Sequence, residues 1–274
     1  MCPKLFDIGP FSVYSYGLMM AIGFLIGSYF LSLELKRYKL DSSFGNSLTF
    51  LAMIFGIIGS KILFLIEHWN ITIHSPIEMI FSPSGLTYYG GFFLATFSIF
   101  LYTKKKKISF LTVADSFSIP MILGYGIARL GCHFAGDGDY GFPTDLPIGV
   151  NYENGTYPPS IAFKNFSEIT ANFPNGIVPN NTPLHPTPVY EFLICLTIFL
   201  IFWKRREKIF QNGKMFSLYL MLVGSERLFI EFFRINERIF FNLTEAQIFS
   251  ILLILFGILF FIKIKQNEKN SSLF

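Results

Sequence analysis

Arg129 closes an apolar, glycine-rich run from Ile119 to Gly131, and Arg227, Glu231 and Arg234, with Glu226 beside them, interrupt a second apolar stretch from Met215 to Phe233. An ionisable side chain at the centre of a membrane helix costs about 2.5–3.5 kcal/mol on insertion scales, so such groups pair with one another or serve a substrate. At about 100° per residue, Arg227, Glu231 and Arg234 share one helical stripe, whereas Glu226 points about 100° away. Glu231 can then orient one guanidinium while another keeps its planar donor fork for an anion, a phosphate above all. The same stripe also reads as a self-neutralising ladder that only lets a helix end approach the interface. Arg129 has no acidic partner in its own run, so its counter-charge must come from another helix or from a ligand. The glycines around it, Gly124, Gly126 and Gly131, allow a backbone or a headgroup to come close.

Both clusters need membrane helices to hold them. Hydrophobic residues make up 52% of the 274 positions and charged residues only 15%, with a mean hydropathy of +0.49, too apolar for a soluble domain of this length. Apolar runs near the bilayer-spanning length lie at about 13–33, 45–66, 86–103, 111–131, 187–203, 214–233 and 246–263. The expectation is an all-α integral membrane protein of about seven transmembrane helices, forming a single membrane domain over 1–274. Residues 13–33 follow only Lys4 and lack a small-x-small cleavage pattern, so they read as a retained first helix and not as a signal peptide.

Loop charge sets the orientation, because Lys and Arg are retained on the cytoplasmic side. Every second loop carries the basic residues: Lys36, Arg37 and Lys39; Lys104 to Lys107; Lys204, Arg205, Arg206, Lys208 and Lys214; and Lys263, Lys265 and Lys269. The alternate loops hold only Lys4, Lys164, Arg234 and Arg238. The N-terminus is therefore expected outside and the C-terminus in the cytoplasm. The net charge of +4 follows from this topology, and no basic stripe with interleaved aromatics points to a nucleic-acid partner.

The long connection at 132–186, between the fourth and fifth spans, falls outside the cytoplasm. Its Gly, Pro and aromatic content favours an ordered cap. Asp115, near the start of the Arg129 helix, reads as a complement to the helix dipole. Cys2, Cys132 and Cys195 have no metal-ligand spacing, and no His, Asp and Glu spacing makes a metal site. His133 and His185 read first as hydrogen-bonded structural groups.

Five segments in chain order resemble the prolipoprotein diacylglyceryl transferase family. They are Tyr14-Ser15-Tyr16-Gly17-Leu18-Met19, Gly85-Leu86-Thr87-Tyr88-Tyr89-Gly90-Gly91, Arg129-Leu130-Gly131-Cys132 through Gly141, His185-Pro186-Thr187-Pro188-Val189-Tyr190-Glu191, and Glu226-Arg227-Leu228-Phe229-Ile230-Glu231-Phe232-Phe233-Arg234. The resemblance implies a multi-pass enzyme of the bacterial cytoplasmic (inner) membrane, without cofactor or metal. It would move the diacylglyceryl group of phosphatidylglycerol to the lipobox cysteine thiol of a preprolipoprotein peptide, with membrane lipids around it and glycerol phosphate released. By the same resemblance Arg129 binds the phospholipid phosphate, Arg227 is the essential arginine of the sixth span, Glu231 and Arg234 are its companions, and Tyr16 is the motif tyrosine of the first.

Two departures touch the chemistry. Many members carry His where Tyr89 stands, and Cys132, His133 and the Asp137-Gly138-Asp139 loop replace a more usual Asn followed by an acidic loop. The nucleophile, however, belongs to the substrate. A free thiol with pKa of about 8.5 is already a few per cent thiolate at pH 7, so full deprotonation gains on the order of 30-fold and most of the barrier lies elsewhere. Arginines in a water-poor site can neutralise the leaving phosphate ester and align the glycerol carbon. The expected division of labour has Arg129 and Arg227 clamping the phosphate, Glu231 orienting Arg227, and Tyr89, Asp137, Asp139, His133 or His185 taking the thiol proton. Two other readings of the residues are a transporter of an anionic small molecule or lipid and a catalytically inactive lipid-binding relative.

Overall fold

The structure is a computed structural model describing residues 1–9, 11–82, 85, 87–208 and 212–271. Leu86 of the second resemblance segment lies outside the described residues, as does the side chain of Lys269. Strands β1 (Lys4–Ile8) and β2 (Phe11–Tyr14) pair antiparallel, with Lys4 opposite Tyr14 and Ile8 opposite Phe11. Helices α1 (Ser15–Arg37) and α2 (Ser43–Glu67), two short helices α3 (Trp69–Thr72) and α4 (Pro76–Phe81), then α5 (Tyr88–Lys105) and α6 (Phe110–Ala135) follow. The next segment contains strand β3 (Val150–Asn151), the single-turn helices α7 (Pro159–Ala162) and α8 (Ser167–Thr170), and β4 (Pro183–Leu184). The chain ends with α9 (Thr187–Arg205), α10 (Lys214–Ile230), a hairpin of β5 (Arg238–Phe240) and β6 (Leu243–Thr244), and α11 (Glu245–Ser271).

Among the described residues, five helices are long and apolar enough to cross a membrane: Ser15–Arg37, Ser43–Glu67, Phe110–Ala135, Thr187–Lys208 and Glu245–Asn267. Helices also stand at the other two expected spans. α5 has 18 residues, opens on Tyr88 and Tyr89 and ends on Lys104 and Lys105; α10 has 17 and carries Lys214, Glu226 and Arg227. Among the described residues, the sequence pattern missed three small two-stranded sheets, because strands of two to five residues leave too little period-2 signal beside apolar helices.

The chain divides into two compact units, Met1–Gly27 with Phe117–Phe274, and Ser28–Ser116. In the second unit, α2 and α5 pack backbone to backbone. A Cβ at Gly59 would lie 2.2 Å from the Gly90 carbonyl oxygen, and one at Gly90 would lie 2.3 Å from that of Gly59. Small residues permit this approach, which replaces the hydrophobic drive that helices lack among lipid tails. Lys61 donates to the Ser82 carbonyl at 2.9 Å. Asp115 is fully buried in this unit and sits beyond the first turn of α6, so it is an interior group and not the dipole complement expected from its position.

In the first unit, several helix ends meet at one place. Gly131 of α6 lets the α1 backbone come close, since a Cβ there would lie 3.2 Å from Tyr16 Cα. Cys2 N–H donates to the Phe134 carbonyl at 3.0 Å, fastening the first strand to the end of α6. That end is set by Gly136, whose φ of +58° closes the helix with an N–H to the Cys132 carbonyl at 2.9 Å. The helix thus runs four residues past the expected 131. Beyond it, Tyr140, Tyr152, Phe163, Val178 and Leu184 form a buried core of their own, so the segment after α6, expected as a cap, is packed around a centre of its own. Apolar residues of that size explain why so long a connection holds together.

Candidate active site

The cap and the helix ends converge on an ionic cluster. Glu191, one turn into α9 and fully buried, lies at its centre. Its Oε2 stands 2.7 Å from Arg129 Nε, and its Oε1 stands 2.9 Å from Arg227 Nη1 and 3.6 Å from Arg234 Nη1. The Arg227 contact is an aligned hydrogen bond, whereas the N–H of Arg129 Nε is not aimed at its oxygen, which makes that pair a contact of charges. Arg227 Nη2 reaches Glu231 Oε2 at 3.0 Å, one helical turn on. The other oxygen of Glu231 accepts from Thr244 Oγ1 at 2.7 Å and Asn236 Nδ2 at 2.6 Å. Glu231 thus touches Arg227 with one oxygen and is itself held through the other.

Asp139 is the second bridge. One of its carboxylate oxygens pairs with Arg129 and the other with Arg234, and its backbone carbonyl accepts from Thr187 Oγ1 at 2.5 Å. Burial alone would push this carboxyl up, but the Arg234 and then the Arg129 guanidinium hold it down at about 2. The counter-charge that Arg129 lacked in its own run therefore comes from the cap, through Asp139, and from α9, through Glu191. Tyr125, one turn back on α6, presents its ring 4.8 Å from the Arg129 guanidinium carbon.

Arg234 departs from the single-stripe expectation. α10 ends at Ile230, and a turn carries Phe233 N–H to the Ile230 carbonyl at 2.9 Å. Arg234 is thus placed by a bridge to Gly141 of the cap, not by helical spacing. Exposure separates the three arginines. The Arg129 and Arg227 side chains keep 18% and 21% of their surface open, whereas Arg234 keeps 8%. Arg129 and Arg227 are thus the more accessible pair, and Arg234 is the most enclosed of the three.

The remaining candidates are distributed around this centre. Tyr16 lies on α1 against Gly131 with its side chain partly open. Asp137 is exposed, and its Oδ1 accepts from the Asp139 N–H at 3.3 Å. His185 stands at the entry to α9, its Nδ1 3.1 Å from the Tyr190 hydroxyl and its ring edge-on to Phe233, and burial lowers its pKa from the usual imidazole value. Its backbone stitches the cap: Gly141 N–H donates to the His185 carbonyl at 2.8 Å, and His185 N–H to the Phe142 carbonyl at 3.0 Å. His133 meets the Tyr152 hydroxyl at 2.9 Å inside the cap core. Tyr89 belongs to the second unit, in the opening turn of α5 with its ring edge-on to Tyr88.

Two features escaped the sequence reading. Glu191 sat in a quoted segment without a role, although an acid within an apolar span was the available signal. Cys132, Asp137 and Asp139 bring one donor atom each within 4.8 Å of one another, a grouping no spacing pattern foretold. A cation there would compete with the two guanidiniums that already hold Asp139.

Comparison with known proteins joins these parts. The model of the family described as prolipoprotein diacylglyceryl transferase matches residues 3–263. This chain belongs to that family. Among proteins named phosphatidylglycerol--prolipoprotein diacylglyceryl transferase, that of Clostridium tetani is 31% identical over 264 residues, covering 95% of this chain and 97% of its own length. The Leptospira interrogans serovar copenhageni protein is 30% identical over 312 residues, covering 94% and 91%, and the Fusobacterium nucleatum protein is 30% identical over 289, covering 98% and 99%. In this member of the prolipoprotein diacylglyceryl transferase family, all five segments of the resemblance lie within the matched span. It is a multi-pass membrane protein.

Proposed function

We propose that this chain transfers the diacylglyceryl group of phosphatidylglycerol to the lipobox cysteine thiol of a preprolipoprotein, forming a thioether and releasing glycerol phosphate. The observation that carries the reading is the convergence of Arg129 and Arg227, both partly open, on the shared carboxylate of Glu191. In this reading the chain has seven spans with its N-terminus outside. It lies in the bacterial cytoplasmic membrane as one membrane domain over 1–274, with residues 132–186 as the extracytoplasmic cap. What supports the orientation is that the site end of the first unit gathers the starts of α1, α9 and α11, while Lys204, Arg205, Lys263 and Lys265 stand at the far ends of α9 and α11.

The chemistry follows from the cluster. The substrate sulfur attacks the glycerol carbon that carries the phosphate, the C–O bond breaks, and its electron pair leaves on the phosphate. Arg129 and Arg227 bind that phosphate before and after the bond breaks, with preorganised donors in a site of low water content. Glu191 and Glu231 fix the planes of the two guanidiniums, Asp139 and Arg234 lock the cap onto them, and Tyr16 lines the headgroup side. Asp139, held by two arginines, is a poor proton acceptor. The thiol proton goes to Asp137 or His185, with Tyr89 a candidate by its sequence position alone.

The test is purified protein with phosphatidylglycerol and a lipobox peptide, followed by peptide mass. A diacylglyceryl gain in mass is expected. Peptide binding without that gain, or lipid flux across vesicles in its place, overturns the proposal.

A further inference from the structure

Two hairpin tips in the first unit expose apolar side chains that nothing in the transfer chemistry uses. On β5–β6, Ile239 is 63% exposed, Phe240 62% and Phe241 84%. The loop between these strands is Phe241-Asn242, with φ of +47° and +60°. That is the left-handed geometry of a two-residue hairpin turn, for which Asn and Gly are the favoured residues. A bulky aromatic at its first position is a conformational outlier. Phe241 is therefore not explained by the needs of the turn, and its exposed ring stands edge-on to that of Phe240, with centroids 4.5 Å apart. On β1–β2, Phe6, Ile8 and Phe11 are likewise exposed, around Gly9 at φ +60°.

The placement of the tips says what covers them. Each hairpin runs directly into a candidate span: β2 ends at Tyr14 and α1 begins at Ser15, while β6 ends at Thr244 and α11 begins at Glu245. The exposed apolar face of α11, including Phe249, Leu252, Leu253 and Phe256, continues from the second tip. A basic residue stands behind each tip. Arg238 donates to the Asn242 carbonyl at 3.3 Å, and Lys4 pairs with Asp7 at 2.8 Å. An apolar tip backed by Lys or Arg at the end of a membrane helix is the pattern of an interfacial anchor.

We infer that both tips seat in the headgroup–acyl boundary of the surrounding bilayer and set the depth at which the ionic cluster meets lipid headgroups. The link to the cluster is short, because Thr244 at the base of the second hairpin donates to Glu231. The inference rests on insertion in a membrane and not on the transfer reaction.

The test uses the full chain in phosphatidylglycerol-containing vesicles, with Phe241→Trp and, separately, Phe11→Trp, each read as the emission difference from the parent protein. Lipids brominated near the headgroup end of the acyl chain should quench the new indole more strongly than lipids brominated near its methyl end, and emission should shift to shorter wavelength. Emission like that of indole in water, untouched by either lipid, overturns the inference. So does quenching strongest at the methyl end, and so does a blue shift without quenching by any brominated lipid, since a second protein copy would then be the cover. Phe240→Trp repeats the measurement should the strained turn reject the larger ring. A chain that lacks transferase activity but shows the quenching pattern leaves this inference standing.

Discussion

Arg129 and Glu191 lie 2.7 Å apart, Nε to Oε2, with the carboxylate end of the pair fully buried. Removing one partner of a buried pair leaves the other uncompensated, at a cost of about 3–5 kcal/mol. Glu191→Gln should therefore lower thermal stability in detergent by several degrees and slow transfer. Glu191→Ala should do worse. Unchanged melting and rate in the Gln variant would remove Glu191 from the centre of the site.

Arg129→Gln, with the fold preserved, should abolish transfer, because a neutral amide can neither take the phosphate charge nor pair with Asp139. Single-turnover assays on folded protein check this; a near-normal rate would eliminate the phosphate clamp.

Arg227→Lys keeps the charge but replaces a fork that touches Glu191 and Glu231 together with a single ammonium. The expected loss in kcat is on the order of 100-fold, the scale of removing one preorganised donor, with little change in the KM for peptide. A drop confined to KM would assign Arg227 to ground-state binding.

Asp139 carries a pH dependence of known sign. Its folded pKa, about 2, lies below the ordinary value of 3.8, so it stabilises the fold fully above the unfolded pKa. That contribution is lost as pH falls from about 4 through about 2. Melting temperature measured down this range should fall in the parent protein, and the fall should be shallower in Asp139→Asn. Parallel curves would show that the guanidiniums do not hold this carboxyl.

Gly141→Ala should disable the cap. A Cβ there would lie 2.1 Å from the Phe233 carbonyl oxygen, a collision with backbone that forces the cap away from the turn placing Arg234. Overpacking of this kind costs about 1–3 kcal/mol or more. Proteolysis within the cap should quicken in the variant.

The helices and their order were legible because charge is expensive and hydropathy conspicuous in lipid, and the arginines stood out for the same reason. The Arg227–Glu231 contact was legible because Glu231 caps the helix that carries Arg227, one turn on. Arg234 was misplaced on that helix because the turn after Ile230 is fixed by a bridge to Gly141, far off in sequence. Glu191 went without a role because its partners come from α6, α10 and the turn beyond it, and only three-dimensional closure brings them to it. The short strand pairs were invisible for want of length.

Three guanidiniums and three carboxylates meet in the cluster: Arg129, Arg227 and Arg234 with Asp139, Glu191 and Glu231. The ledger of formal charge there is balanced before any substrate arrives. A phosphate entering such a place meets no surplus of positive charge, so its hold rests on the donors that Arg129 and Arg227 leave open while their carboxylates keep the two forks in place. Free salt anions, which cannot engage two such forks at once, would then be poor competitors.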